Sequence, residues 1–200
     1  MPRLPRRRHG RRRGAVLLLT LIFFGFLGLG SLFGLHLIAV STAAHSRLTE
    51  TAQAAAYAAA SAIVDPSAGG AGAGVILIDE AGAQARARAV IDANLQGKFG
   101  LTPQALDSIQ IEVNNVAFNP IEARALIDPN TCEALPGIGI GGRLAWRDDF
   151  GDCHLTSGVT VSLTITLRAC LFSGYAERTC PPLVLRGRGF ADYAFRSDER

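Results

Sequence analysis

The chain has 200 residues, 48% of them hydrophobic, which is enough for one domain or for one membrane segment followed by a domain of ordinary size. Its formal net charge of +3 hides an asymmetry: seven arginines lie in the first thirteen residues, and the chain from Gly14 onward carries 13 basic and 17 acidic residues. Nucleic-acid binders carry basic residues on the folded domain, so this distribution argues against nucleic acid as a partner.

An apolar segment follows the arginines directly. No charged side chain occurs between Gly14 and Ala44, and the most apolar part, residues 15–40, is 26 residues long. About 20 helical residues cross the hydrocarbon core of a bilayer, and this segment rises about 39 Å as a helix. The sequence therefore predicts a membrane-spanning helix with the lipid bilayer as its partner.

The charge on either side of the apolar segment predicts its orientation. The positive-inside bias places residues 1–13 in the cytoplasm as a basic tail, because only Arg47 follows the segment closely. The predicted location is the inner membrane, crossed once, with the C-terminal domain in the periplasm. The residues that set this orientation and meet anionic lipid are Arg6, Arg7, Arg8, Arg11, Arg12 and Arg13.

The same N-terminus also permits a cleaved signal peptide. Cleavage around residues 39–44 would release a periplasmic domain, but the apolar region of a signal peptide is about 7–15 residues long and this one is much longer. The length favours a retained anchor.

The spanning helix is predicted to continue outward. Residues 41–64 contain no Gly or Pro and are dominated by alanine, so residues 15–63 predict one rod. Small side chains recur at three- and four-residue spacings in its outer half, and Gly30-x-x-x-Gly34 lies in its apolar half. The sequence leaves open whether the outer stripe packs on the protein's own domain or on a neighbour. The predicted helix-interface residues are Gly30, Gly34, Ala52, Ala55, Ala56 and Ala59.

The remaining elements predict an exported α+β domain over residues 65–200, after a helical unit over 14–64. A Gly-rich linker, 65–74, precedes a short strand, and Asp79 caps a second helix over residues 80–99, with Ala85, Ala89, Ile91 and Leu95 inward. Alternation predicts antiparallel strands at 109–113 and 159–170, and a returning strand within 188–195. Residues 119–158 predict loops and short strands, one of them at 138–146.

Four cysteines lie in this domain, and sequence alone allows three connectivities. We hypothesise the two local pairs, Cys132 with Cys153 and Cys170 with Cys180, because each closes a loop containing Gly or Pro.

No catalytic, metal or cofactor site is predicted. The polar run 147–154, "RDDFGDCH", lacks EF-hand and zinc-finger spacing, and we expect a solvated loop tethered by a disulfide. No serine lies in a Gly-x-Ser-x-Gly elbow, and His154 is the only histidine beyond the helical unit.

Two stretches, "RRRGAV" at 11–16 and "LTETAQAAAYAAA" at 48–60, resemble the TadG-like and TadE-like family of tight-adherence (Flp) pilus-assembly proteins. That family typically shows an arginine cluster, Gly-Ala-Val, an apolar span and an alanine-rich helix. This chain departs from it at Leu19, where pilins cleaved after the glycine carry glutamate, and at Gln53, where the alanine-rich motif carries aspartate.

The resemblance implies a membrane-anchored structural or accessory subunit of a tight-adherence pilus or a related envelope apparatus, with no enzymatic activity. It implies other small membrane or pilus-assembly subunits as partners and is compatible with a homo-oligomer. The alternative function is an anchored or released periplasmic binding module, whose disulfide-bonded β region captures an extracellular ligand.

Overall fold

The computed structural model describes residues 10–64, 75–96, 101–137, 142–168 and 182–192, with side chains from Val16 onward. It has the predicted α+β class. The helices are α1 (Gly10–Ala60), α2 (Glu80–Asn94) and α3 (Pro120–Leu126), with a 3-10 turn at Pro103–Ala105. The strands are β1 (Ser108–Asn114), β2 (Ile127–Asp128), β3 (Glu133–Ala134), β4 (Trp146–Arg147), β5 (Cys153–His154), β6 (Gly158–Arg168) and β7 (Pro182–Asp192).

Helix α1 is one unbroken helix of 51 residues, as the absence of proline and the alanine content of its outer half predict. It ends at Ala60, short of the predicted Ile63. Ile63 instead forms an isolated antiparallel bridge with Ile78, and the Asp79 amide donates to the Ala62 carbonyl oxygen at 2.7 Å. The strand predicted after the Gly-rich linker is reduced to this bridge, and the linker lies outside the described residues.

Helix α2 begins at the predicted cap, since the Asp79 carboxylate accepts hydrogen bonds from the Ala81 and Gly82 amides at 3.2 and 3.0 Å. It ends at Asn94, earlier than predicted. Its buried face was predicted wrongly in its first half, because Ala85 and Ala89 are exposed. Positions four apart, counted back from Ile91 and Leu95, form one stripe against α1, and the buried residues are Ala83, Ala87, Ile91 and Leu95.

The sheet is antiparallel with strand order β1-β6-β7, so the predicted strand 159–170 is its centre. Its register aligns Ile111 with Val161 and Val161 with Gly189. The odd-numbered β6 side chains face the helices, and Val159, Val161, Leu163 and Ile165 are at most 2% exposed. The even-numbered threonines and serine lie on the opposite face, as the alternation predicts. Strand β7 starts at Pro182, earlier than expected, and Tyr193 and Phe195 lie outside the described residues.

One core joins the outer half of α1, α2 and the inner face of the sheet. It runs from Ala44 to Ala60 on α1, continues at Ala62 just beyond the helix, and includes the buried residues of α2, β6 and β7. The outer half of α1 is therefore part of the domain core, and the two helices form a layer over one face of the sheet.

The region between β1 and β6 forms a smaller unit with its own core. Helix α3 was not predicted there; Asn119 caps it by accepting from the Ile121 amide at 3.0 Å, with Pro120 in its first turn. Short pairs β2-β3 and β4-β5 follow, and Cys132 and Cys153 form the hypothesised disulfide with Cα atoms 5.6 Å apart. Within the predicted strand 138–146, residues 142–145 are not strand and 138–141 lie outside the described residues, as do Cys170 and Cys180.

Candidate membrane anchor and its seat on the sheet

The apolar half of α1 projects bare from the domain. It is the one helix in the described part of the chain that is long and apolar enough to cross a membrane, and its most apolar window is 0% buried. The core helix of a water-soluble domain is mostly buried, whereas Leu19, Phe24 and Leu29 are 66–70% exposed. Apolar side chains in such a continuous bare row need an apolar medium or a partner.

The predicted interface residues have different surroundings in the two halves of the helix. Gly30 and Gly34 lie in the apolar half, and a methyl group added at either would meet nothing within 4 Å. The four alanines are 0% exposed within the chain and face the sheet and α2; these are Ala52, Ala55, Ala56 and Ala59. The chain's own domain thus occupies the alanine stripe, whereas Gly30 is exposed and Gly34 is partly exposed, with room for a methyl group at each.

The predicted orientation residues lie at the start of the chain. Arg11, Arg12 and Arg13 belong to the first turns of α1, and Arg6, Arg7 and Arg8 lie outside the described residues. The change from basic to apolar residues therefore lies within the first described turns of α1.

Two glycines of β7 form the surface on which α1 rests, which we call the glycine seat (Gly187 and Gly189). A methyl carbon at Gly187 would lie 2.6 Å from the carbonyl oxygen of Leu48 and 2.7 Å from its Cβ, and one at Gly189 would overlap the backbone of Ala52. Real side chains do not approach so closely. The helix backbone therefore lies directly on the strand backbone, an approach that only glycine permits.

Gln53 fixes the register of α1 on this seat. Its amide nitrogen donates to the Phe190 carbonyl oxygen at 2.6 Å, and its amide oxygen accepts from the Phe190 amide at 3.1 Å. A carboxamide carries both a donor and an acceptor, so it pairs with β7 as a neighbouring peptide group would. An aspartate at this position would be one carbon shorter and, when ionised, would have no donor for the carbonyl.

Arginines bind the two helices to one another at the C-terminal end of each helix. The Arg86 guanidinium donates to the Ser61 carbonyl and hydroxyl oxygens, each at 2.8 Å, and Arg47 donates to the Asn94 carbonyl oxygen at 3.3 Å. Both acceptors lie at helix ends, where carbonyl groups lack helical partners. The outer half of α1 is therefore fixed on two sides, by the sheet and by α2.

The polar run 147–154 is more ordered than the solvated loop that the sequence predicts. The Asp148 side chain is 3% exposed; its Oδ1 accepts from the Phe150 and Asp152 amides at 2.9 and 2.8 Å, and its Oδ2 lies 3.0 Å from His154 Nε2. Burial raises the pKa of Asp148, but the hydrogen bonds from His154, Asp152 and Phe150 outweigh it and leave that pKa below its ordinary value. Gly151 completes the turn at a φ of +96°.

His154 connects this turn to the end of β7. Its Nδ1 lies 3.5 Å from Asp192 Oδ2, and its ring packs on Phe190 and Trp146 with centroids 4.3 and 4.8 Å apart. Both ring nitrogens thus face carboxylates, and neither faces a hydroxyl or thiol nucleophile in the described part of the chain. Within those same residues, no three His, Cys, Asp or Glu side chains come together to hold a metal ion. The arrangement holds the disulfide-bonded unit against the sheet.

Sequence reasoning missed the glycine seat and the Gln53 pair. The seat had a signal, since "LRGRGFA" places two glycines on one face of a strand opposite a helix stripe of small residues. The Gln53 pair had no signal in the sequence, because Gln53 bonds to a backbone group 137 residues away.

Comparison with protein-family models, with curated proteins and with solved structures gives no match.

Proposed function

We propose that this protein is a single-pass anchored structural or accessory subunit of a tight-adherence (Flp-type) pilus or a related envelope assembly apparatus. The observation that supports it is the division of α1 into a bare apolar half and an outer half that is part of the domain core. In this proposal the basic tail is cytoplasmic, the apolar half crosses the inner membrane, and the domain is periplasmic. The role is assembly, without catalysis.

Because α1 is continuous and its outer half is fixed to the domain, the position of its apolar half determines the position of the domain. The glycine seat, Gln53 and the two arginine bonds leave α1 little freedom to slide or rotate on the domain. A partner that binds the apolar half in the membrane therefore also positions the domain. The open face around Gly30 and Gly34 is where we expect such a partner helix, since small residues let two backbones approach.

A released domain fits the structure less well. Signal peptidase would have to cut within residues 39–44, which are helical, and Ala44 is 0% exposed against the core. Cleavage there requires the helix to unwind at the point where the core begins. The retained anchor requires no such opening.

The first experiment is the intact mass of the protein purified without reduction from the membrane fraction, combined with crosslinking in mild detergent. We expect the full-length mass and crosslinks to another small membrane subunit or to a second copy. Replacing Gly30 and Gly34 by isoleucine should abolish those crosslinks, and the matched change Gly25→Ile, outside that pair, should not. A protein that always runs as a monomer without crosslinks would refute the assembly role, and a start near Ser41 would refute the anchor.

The second candidate is an anchored binding module, which the exposed apolar side chains of the disulfide-bonded unit favour. Ile121 is 82% and Phe150 67% exposed in a unit fixed by the disulfide and Asp148. Ile121→Ser with Phe150→Ser should leave crosslinking unchanged if the role is assembly. If the unit captures a ligand, the same double variant loses capture while its membrane association stays unchanged.

A further inference from the structure

His154 joins the disulfide-bonded unit to the sheet through two carboxylates. Its Nε2 lies 3.0 Å from Asp148 Oδ2, in the turn of the unit, and its Nδ1 lies 3.5 Å from Asp192 Oδ2, at the end of β7. An imidazolium carries an N–H on each ring nitrogen, whereas a neutral imidazole carries only one. Both carboxylates can therefore receive a hydrogen bond only while the ring is protonated.

The other charged groups of this contact are bonded elsewhere within the described part of the chain. Asp149 lies 3.4 Å from Arg188 of β7, and Arg147 of β4 donates to the Asn130 carbonyl oxygen at 2.7 Å. The faces of the His154 ring are covered by aromatic rings, which carry no charge. Aspartate and arginine stay charged at neutral pH, whereas histidine changes its charge between about pH 5 and 8. His154 is therefore the residue of this contact whose bonds depend on pH near neutrality.

The two carboxylates differ in what they lose when His154 gives up a proton. The Asp148 side chain is 3% exposed, so an unpartnered charge there is costly, while the Asp192 side chain is 33% exposed and can be solvated. The shorter contact is also the one to Asp148. The remaining proton therefore stays on Nε2, and the lone pair of Nδ1 then faces the Asp192 carboxylate. Asp192 keeps only the Thr156 hydroxyl, at 3.5 Å, as a hydrogen-bond donor from the unit.

We propose that His154 is a pH-sensitive link between the disulfide-bonded unit and the sheet. Below the pH at which the ring titrates, it bonds to both Asp148 and Asp192 and holds the unit on the end of β7. Above that pH it keeps its bond within the unit and releases Asp192. The stability that the link contributes is thus present in acid and is lost as the pH rises. This device is separate from the assembly role and does not depend on the membrane anchor.

The first test reads the position of the proton by nitrogen NMR of the full chain in micelles, with isotopically labelled histidine. The other histidines, His9, His36 and His45, are replaced by glutamine, so that only His154 is observed and the link itself is unchanged. We expect a proton on both ring nitrogens in acid and a proton on Nε2 alone at alkaline pH. A neutral ring with its proton on Nδ1, or an equal mixture of the two forms, would overturn the proposal.

The second test compares two carboxylates of the same contact by urea unfolding of the full chain. Asp192→Ala should lower the midpoint several times as much at about pH 5.5 as at about pH 8.5, on either side of the range in which histidine titrates. The matched control is Asp149→Ala, which removes the ion pair with Arg188. Both members of that pair stay charged over this range, so its effect should be equal at the two pH values.

Equal losses for Asp192→Ala at the two pH values would overturn the link, and so would a larger loss at the higher pH. If Asp192→Ala fails to fold, the position of the proton still decides, because the labelled chain keeps His154 and both carboxylates.

Discussion

Replacing Gly187 of the glycine seat by alanine tests whether direct backbone contact holds α1 on the sheet. The added methyl carbon would lie 2.6 Å from the carbonyl oxygen and 2.7 Å from the Cβ of Leu48. Ordinary contacts begin near 3.4 Å, so the helix has to move away from β7 by almost 1 Å.

The expected cost follows from what that movement disrupts. Overpacking a core costs about 1–3 kcal/mol, and the upper end applies here because the obstacle is backbone and has no alternative rotamer. Alanine recovers about 0.5–1 kcal/mol of the conformational cost of glycine in a strand. The net loss is therefore about 2 kcal/mol of the free energy of unfolding, a large share of the 5–15 kcal/mol of an ordinary domain.

Urea unfolding of the full chain in micelles, followed by fluorescence, measures this loss. Trp146 is the only tryptophan and is 4% exposed on the sheet, so its emission reports the folded domain. A loss of about 2 kcal/mol lowers the midpoint by about 1 M urea for a slope near 2 kcal/mol/M. The matched control is Gly28→Ala, where the new methyl meets nothing within 4 Å and the midpoint should not fall.

Two results would refute the reasoning. One is a Gly187→Ala midpoint equal to that of the unsubstituted chain, which would mean that α1 does not rest on the backbone of β7. The other is full rescue by Leu48→Ala, because a shorter side chain leaves the Leu48 carbonyl oxygen in place.

Three further predictions use the same protein. Gln53→Glu should lower the free energy of unfolding by about 1–3 kcal/mol at neutral pH, because the Phe190 carbonyl loses its donor. Part of this free energy should return in acid, where a protonated carboxyl can donate. An unchanged urea midpoint would contradict this prediction. The lowered pKa of Asp148 gives stability that is present above the unfolded-state value of about 3.9 and is lost as the pH falls through the folded-state value. Melting followed from neutral to acid pH should therefore fall more steeply for the unsubstituted chain than for Asp148→Asn, and parallel curves would show the reasoning to be wrong. Cys170 and Cys180 each lie two residues beyond the last described β6–β7 pair, so we predict that they form the second disulfide and that the unreduced mass is four hydrogens short; a deficit of two would leave only the observed bond.

Much of the architecture could be predicted from the sequence because its causes are local. The charge gap from Gly14 to Ala44 and the alanine content determine a long helix, Asp79 determines where α2 begins, and alternation at 159–170 determines a half-buried strand. The Cys132–Cys153 pair was favoured by nearness in sequence. Each of these signals comes from residues that lie near one another in the sequence.

Other features depended on partners far away in sequence. The burial of Ala83 and Ala87 in place of Ala85 and Ala89 was decided by the side from which α1 approaches, since several faces of an alanine-rich helix look alike. The Asp148 side chain is held in place by the Phe150 and Asp152 amides, which only the turn at Gly151 directs at its carboxylate.

By itself, then, the sequence determined a basic tail, an apolar rod and an α+β domain, since composition and period act on neighbouring residues. Only the tertiary structure decided that the alanine stripe belongs to the domain's own core and that the apolar half of α1 stays bare as far as Leu32. The physical reason is that small side chains permit close packing but do not specify which surface they pack on. Part of that surface is two glycines of β7, which lie against Leu48 and Ala52 more than 130 residues away along the chain, where one backbone can lie directly on another.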